Sequence, residues 1–343
     1  MKTIKITLTI FILGIVIFPI NAGQFGLKFG YMAFNTELWN PDIQKRIFRD
    51  DLIIGYKDTS NLGTFTFPFQ SDTNFFYPFS IYLQPSNWNR NFFIQADFYQ
   101  FKKTNLRGNG IGFINQNINS IIFHEIKHIR EQATLKLGFN LMSRGINDGF
   151  FDLILLAGGS WTHHGYGKNA VGYSNTGLTF VSNQHGSFDA RIFNPLIGVE
   201  FAIPLSRYYR KTFFLYGSYE SYPERSNKIN YILNHFIFSG NNIDINIENI
   251  ESDYSLSKQF YELGFGYYLA KDFIIKLSYR KEVNLIKYKN YNGYTLSFNN
   301  QIQNITDIFN LAELLSDKFF VYNGTNKEQI EGIYIGFEKA ITY

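Results

Sequence analysis

Apolar and polar residues alternate one by one along many stretches of this 343-residue chain. In QFGLKFGYMAF, residues 24–34, every second position is apolar, and the positions between them include Gln24, Lys28 and Gly30. Such alternation predicts a β-strand with one apolar face. The pattern recurs at 74–84, 91–101, 133–142, 197–203 and 259–282. The chain is therefore predicted to be all-β.

The clearest hairpin lies within residues 259–282, with a turn at 270–272. One face carries apolar residues such as Leu263 and Leu277, and the other carries Glu262, Lys276 and Arg280. A soluble β-sandwich would bury the apolar face, whereas a membrane barrel would turn it towards lipid. Periodicity alone leaves both alternatives open.

Three further features favour the membrane barrel. The strands are about ten residues long, aromatic residues lie near their ends, and short connections alternate with long ones. Polar stretches predict long connections at about 35–73, 161–176, 239–257 and 299–328. Within the last of these, residues 305–320 have the apolar spacing of a short helix, which would be either a lid or plug or a helix packed on the loop surface. About a dozen strands predict a transmembrane antiparallel up-and-down β-barrel of 12–14 strands, with long extracellular loops.

The first 22 residues, MKTIKITLTIFILGIVIFPINA, have the lysines, short apolar run and small final residue of a secretory signal peptide. Residues 23–343 are then a single barrel domain. Removing Lys2 and Lys5 takes the formal charge from +4 to +2, which gives no support to nucleic-acid binding. The chain has no cysteine, which excludes disulfides and thiolate-bound metals. We expect no cofactor.

The end of the chain, EGIYIGFEKAITY, alternates in the same way and finishes on an aromatic residue. It resembles the C-terminal signal strand of Gram-negative outer-membrane β-barrel proteins, which the barrel-assembly machinery recognises. Lys339 departs from that pattern, because it lies on the apolar face. The resemblance implies export to a bacterial outer membrane, with its lipid and the assembly machinery as partners. The residues of this signal are Ile333, Ile335, Phe337, Ile341 and Tyr343.

The segment His124-Glu125-Ile126-Lys127-His128 matches the H-E-x-x-H pattern of zinc peptidases. Two histidines four residues apart can share a zinc ion on a helix, but on a strand they are about 13 Å apart. The segment runs into the alternating residues 133–142, so we predict a strand and interpret His124, Glu125 and His128 as a chance match. No metal site is predicted from them.

Two other groups bear on an enzymatic function, which stays an open question. His185, Ser187 and Glu200 loosely resemble the triad of outer-membrane lipid A deacylases, although Phe188 replaces an asparagine and the spacing to Glu200 is one residue longer. The pair His163-His164 is flanked by glycine and is predicted to lie in a loop. A metal site assembled across several loops stays open.

Charged residues of both signs fall on the predicted polar faces of the strands. They would either line a polar pore or close the lumen with ion pairs. The first function that we predict is passive passage or binding of small polar solutes; a barrel acyl hydrolase and a non-conducting surface adhesin or structural barrel are the alternatives. The lumen candidates are Lys28, Asp97, Lys136, Glu220, Glu262, Lys276, Arg280 and Glu338.

Overall fold

The structure, a computed structural model, describes residues 22–36, 63–70, 75–85, 91–114, 117–142, 151–174, 179–185, 188–205, 213–239, 242–270, 273–298 and 325–340. Within these ranges no helix is long and apolar enough to cross a membrane. The described strands are β1 Ala22–Thr36, β2 Gly63–Gln70, β3 Phe75–Phe76, β4 Phe79–Pro85, β5 Phe92–Ile114, β6 Asn117–Asn140, β7 Asp152–Ser174, β8 Thr179–His185, β9 Phe188–Pro204, β10 Phe213–Ser239, β11 Asn242–Ala270, β12 Phe273–Phe298 and β13 Thr325–Ala340.

Antiparallel pairing closes these strands into a ring. The order around the ring is β1, β4, β5, β6, β7, β9, β10, β11, β12 and β13. The first and last strands complete it, pairing continuously from Gln24 with Ala340 to Thr36 with Glu328. The prediction of an all-β antiparallel barrel is confirmed.

Three short strands extend positions of the ring instead of adding to it. Both β8 and β9 are antiparallel to β7 and to β10, so they follow one another down a single position. Likewise β3 and β4 both pair with β1. β2 pairs with the C-terminal part of β5, from Arg107 to Phe113. The described residues thus form ten positions around the ring, fewer than the predicted 12–14. The strands are longer than predicted, up to 29 residues, so fewer of them use up the chain.

The two ends of the barrel differ. β1 starts and β13 finishes at the same end, here called the turn end, where Ala270 pairs with Phe273 in the predicted hairpin. At the opposite, loop end, β7 reaches Ser174 and β11 starts at Asn242, so the long loops predicted at 161–176 and 239–257 are wrong. Their polar residues form strands all the same, because strands beyond the apolar belt need no apolar side chains on a lipid-facing side. The predicted helix at 305–320 and nearly all of the predicted signal peptide lie outside the described residues.

The outward face of the barrel is apolar and the inward face is polar. On β6, Leu135 and Leu137 are 48% and 50% exposed, whereas Lys136 between them is 2% exposed. A soluble sandwich would show the reverse, so this burial pattern separates the two architectures that periodicity left open. The outward residues form the apolar belt, which includes Phe29, Tyr31, Leu135, Leu137, Leu155, Ile197, Leu263, Phe265, Leu277, Ile333, Ile335 and Phe337.

The height of the apolar belt fits a bilayer. On β11 the exposed apolar side chains run from Tyr261 to Leu269. Eight steps of about 3.3 Å, tilted by about 40°, give roughly 20 Å along the barrel axis. Tyr219, Tyr261 and Tyr279 lie at the loop-end margin of the belt, where aromatic rings favour the boundary between lipid and water.

Glycines on the inner face make room for aromatic rings. The ring of Phe93 lies where a side chain on Gly138 would be, and Phe214 lies in the same way against Gly266. Both glycines are buried. A narrow ten-stranded ring can therefore hold whole aromatic side chains in its interior.

Candidate functional site

The polar interior of the barrel is the candidate site. Seven of the eight predicted lumen residues have at most 12% of their side chain exposed, and Asp97 has 15%. Six of the eight form one connected ion-pair network, and Lys276 and Glu338 form a separate ion pair. The alternation on each strand explains their position, since each one follows an outward apolar neighbour. The structure brings together residues from seven strands: Lys28, Asp97, Lys136, Glu220, Glu262, Lys276, Arg280 and Glu338.

Nearest the turn end, ion pairs join β1 to β11, β11 to β12 and β12 to β13. Lys28 Nζ lies 3.6 Å from Glu262 Oε1, and Arg280 Nε donates to Glu262 Oε2 at 2.8 Å. Lys276 Nζ lies 2.5 Å from Glu338 Oε1. Glu262 is thus shared between two cations, which offsets part of the cost of burying its charge.

In the middle of the barrel, the contacts cross from wall to wall. Lys136 Nζ on β6 lies 2.6 Å from Asp97 Oδ2 and also contacts Glu220 on β10. Arg280 on β12 reaches Asp97 on β5 at 3.7 Å, four positions away around the ring of ten. The side chains of nearly opposite strands therefore meet inside the lumen.

One lysine crosses the lumen next to this network. Lys258 Nζ on β11 donates to Gln132 Oε1 at 2.9 Å, to Ser160 Oγ at 2.6 Å and to Thr162 Oγ1 at 3.0 Å. These acceptors lie on β6 and β7, on the far side of the ring. Three neutral oxygens thus satisfy all three donors of the ammonium group.

Apolar side chains fill the space around the charges. One cluster contains Phe93, Leu156 and Phe260, and a second, nearer the loop end, contains Phe34, Phe101 and Ile330. Between Asp97, Tyr99, Arg280 and their neighbours, a cavity of about 20 Å³ has room for about one water molecule. The described part of the interior is packed like a protein core.

A second group of charged and aromatic residues lies closer to the loop end. His128 on β6, His164 on β7 and Glu328 on β13 are 0%, 1% and 0% exposed. Their facing atoms are close: His128 Nε2 lies 3.0 Å from His164 Nε2, and Glu328 Oε1 lies 3.8 Å and 3.7 Å from these two nitrogens. We call these three residues the His-His-Glu cluster.

Two neighbours hold the cluster in place. Arg130 Nη2 lies 3.5 Å from Glu328 Oε2, so the other carboxylate oxygen is the one that faces the histidines. Tyr254 OH lies 3.3 Å from His164 Nδ1 and accepts from Arg130 Nη1 at 3.4 Å. The cluster joins β6 and β7 to β13, across the diameter of the ring.

Outward side chains show where this cluster lies relative to the apolar belt. On the outer face, His163 Nδ1 lies 2.9 Å from Glu131 Oε2, and His163 Nε2 lies 2.9 Å from Asp189 Oδ1. Charged groups on the outside are expensive in lipid. The belt therefore ends below His163, and the His-His-Glu cluster lies at or above the loop-end margin.

The structure places both histidine motifs of the sequence on β-strands. Residues 117–140 are the strand β6, as predicted, so His124 and His128 lie about 13 Å apart along it. The prediction that His163 and His164 lie in a loop is wrong, because Asp152–Ser174 is one strand. His163, His164 and the glycines that follow them lie on the part of β7 beyond the belt, within a paired strand.

The predicted triad of His185, Ser187 and Glu200 does not assemble around Glu200. His185 pairs with Ile232 of β10, and Glu200 pairs with Ser218 of the same strand. Fourteen residues separate these partners, on the order of 45 Å along the strand. Glu200 is therefore too far away to orient His185, and Ser187 lies outside the described residues.

Sequence analysis missed His164 and Glu328 as partners of His128. The three residues lie on strands that are distant in the chain, and each has ordinary neighbours in sequence. The available signal was that each residue faces inward on its strand. Bringing the three together also requires the register between β6, β7, β13 and β1 to be known.

No protein-family model matches the chain, and no curated protein matches it. Among solved structures, the outer membrane protease OmpT from Escherichia coli is similar over 94% of this chain and 98% of its own, with 11% identity and a TM-score of 0.41. The toluene transporter TodX of P. putida is similar over 94% and 91%, with 8% identity and a TM-score of 0.34. The toluene transporter TbuX of Ralstonia pickettii covers 96% and 93%, with 6% identity and a TM-score of 0.28. Similarity at this level assigns no activity or substrate to this chain.

Proposed function

We propose that this protein is a bacterial outer-membrane barrel that does not conduct solutes through its lumen, and that it acts at the cell surface through its loop end. The observation that carries the proposal is the set of direct contacts between opposite walls inside the lumen. The first function predicted from the sequence, passive passage of small polar solutes, stays a prediction, and the packing weighs against it.

The apolar belt supports the membrane location. It surrounds the barrel on the outward face and is about 20 Å tall, close to the roughly 25 Å apolar band of outer-membrane barrels, between charged residues at both margins. Lys339, outward at the turn end, and the Glu131–His163 pair, outward towards the loop end, mark these margins on their strands. In water an uncovered apolar surface of this size would aggregate.

Three groups of contacts support a closed lumen. Arg280 with Asp97 and Lys258 with Ser160 cross between nearly opposite strands. Tyr99 OH on β5 donates to Glu282 Oε1 on β12 at 3.1 Å, again across the ring. A hydrated ion needs a continuous water path, and these contacts lie across that path.

The loop end supports a role at the surface. β10 continues for 20 residues beyond the belt residue Tyr219, and β11 pairs with it up to Ser239 and Asn242. At about 3.3 Å per residue this is on the order of 65 Å of strand beyond the lipid. A sheet of this length presents a large area to partners.

The test is single-channel recording of refolded residues 23–343 in a planar bilayer, with heat-modifiable gel mobility as proof of folding. We expect no stepwise conductance from the wild type. The positive control is the double variant Tyr222→Ala/Phe260→Ala, which removes two rings from the lumen and is expected to produce conductance steps.

A matched variant keeps this comparison specific. Tyr219→Ala/Tyr261→Ala removes two rings from the same two strands, but on the outward face, where the rings contact one another with centroids 5.2 Å apart. It is expected to stay silent. Stepwise conductance from the folded wild type would overturn the proposal and restore passive passage.

A further inference from the structure

We propose that the His-His-Glu cluster is a binding site for one divalent transition-metal ion of the zinc type. His128 and His164 would each supply Nε2 and Glu328 would supply Oε1. The site is independent of lumen conductance, since it depends only on these three side chains and their neighbours.

The distances between the three atoms fit zinc. They form a triangle with edges of 3.0, 3.7 and 3.8 Å. The point equidistant from the corners of such a triangle lies about 2.0 Å from each, within the usual range of Zn–N and Zn–O bonds, about 2.0–2.2 Å. An ion slightly out of this plane would keep a fourth position for water or another ligand, as in three-ligand zinc sites.

The rings are turned so that their nitrogens converge. The centroids of His128 and His164 are 5.0 Å apart, whereas their Nε2 atoms are 3.0 Å apart. Two nitrogen lone pairs this close repel one another unless a proton or a cation lies between them. Glu328 Oε1, almost equally distant from both nitrogens, adds a negative charge on the same side.

The surroundings resemble the outer partners of a metal site. Metal-bound histidines usually donate their second ring N–H to a fixed acceptor, which orients the ring. Tyr254 OH is placed to accept from His164 Nδ1, and Arg130 holds the second oxygen of Glu328. The charge of Arg130 opposes a cation, so we expect weaker binding than at a comparable site without an arginine.

The donor set selects the class of metal. Two imidazoles and one carboxylate suit zinc and other first-row transition ions, whereas Mg²⁺ and Ca²⁺ prefer oxygen ligands alone. The bound ion would join β6 and β7 to β13 on the opposite wall, so its effect is expected to include stabilisation of the barrel.

The test uses the untagged mature chain, refolded in detergent with Zn²⁺ present and, separately, with Zn²⁺ added afterwards, because buried ligands favour uptake before the ring closes. After removal of loose metal, we expect about one zinc per chain, no retention of Mg²⁺, and a tetrahedral visible spectrum with Co²⁺. The thermal unfolding temperature should rise with Zn²⁺.

Variants assign the zinc to the cluster. His164→Gln and Glu328→Gln should each lower affinity by more than about 100-fold, since loss of a second-shell partner alone costs roughly 10- to 100-fold. His163→Gln, the adjacent outward histidine, should retain the metal. Tyr254→Phe keeps all three ligands and is expected to weaken zinc binding by roughly 10- to 100-fold. This variant tests the site even if the ligand variants fail to fold.

Two results would overturn the proposal. The first is a correctly folded wild type that retains no zinc under either refolding condition. The second is zinc that survives both His164→Gln and Glu328→Gln, or that is lost with His163→Gln alone, since either pattern would mean adventitious binding at surface histidines.

Discussion

Single charged residues inside the barrel are held by more than one partner. Lys136 lies between Asp97 and Glu220, and Arg280 lies between Asp97 and Glu262. Removing one member leaves the charge of the others buried without compensation, which costs more than the pair itself contributes. The network is therefore sensitive to single substitutions at its shared members.

We expect Lys136→Met to lower the free energy of unfolding by about 3 kcal/mol or more, because Asp97 and Glu220 lose their shared cation. Urea-induced unfolding in lipid vesicles measures this change. The control is Lys228→Met, which removes an exposed pair with Glu251 at 2.9 Å and is expected to change stability little, because water screens such a pair. The hydrogen bond from Lys228 to Glu251 raises the pKa of that lysine. Equal losses in the two variants would show that the buried network adds no stability.

At the level of the strand, the two faces impose opposite demands. On β11, Leu263 and Phe265 face outward and Glu262 and Gly264 face inward. A shift of pairing by one residue would exchange these faces and put charges in lipid. The register of each strand is therefore fixed by the belt.

Leu263→Arg is expected to destabilise the barrel by about 1–3 kcal/mol, because it places a charge inside the belt, about halfway between its middle at Phe265 and its loop-end margin at Tyr261. The control is Gln259→Arg, on the same face of β11 and two residues beyond Tyr261 towards the loop end, where we expect a change of less than about 1 kcal/mol. Refolding yield and urea midpoints in vesicles compare the two. If both arginines are tolerated equally, Leu263 does not face lipid.

Sequence patterns predicted the strands that cross the belt, because lipid outside and polar groups inside require strict alternation there. They did not predict the upper parts of β7, β10 and β11, which lie beyond the belt, where lipid no longer requires apolar alternation. The number of ring positions was overestimated for the same reason. The predicted lumen residues followed directly from the alternation, whereas the His-His-Glu cluster depended on the register between distant strands.

At the scale of the molecule, the wall of the barrel is much taller than the apolar belt. The hairpin of β10 and β11 pairs without interruption from Arg225 with Leu256 to Ser239 with Asn242. This paired extension begins beyond Tyr219 and Tyr261, at the loop-end margin of the apolar belt. Contact with lipid and the proposed role at the surface would thus fall on different parts of the same strands.

Replacing residues 231–250 by Asn-Gly should therefore leave a folded barrel, since Asn230 and Glu251 are directly paired and a two-residue turn can join them. Heat-modifiable mobility of the shortened protein tests this expectation. Binding to surface partners should be weakened at the same time, because most of the tall hairpin is gone. A shortened chain that never becomes heat-modifiable would mean that the extension is required for folding.

The pairing of β1 with β13 has a kinetic consequence. The neighbours of nearly every other strand in the ring are also its neighbours in the chain, whereas this seam joins residues that are about 300 positions apart. This pairing therefore carries a larger loop-closure entropy than any single local hairpin. The seam is expected to be the slowest pairing to form and the place where a partly folded barrel stays open longest.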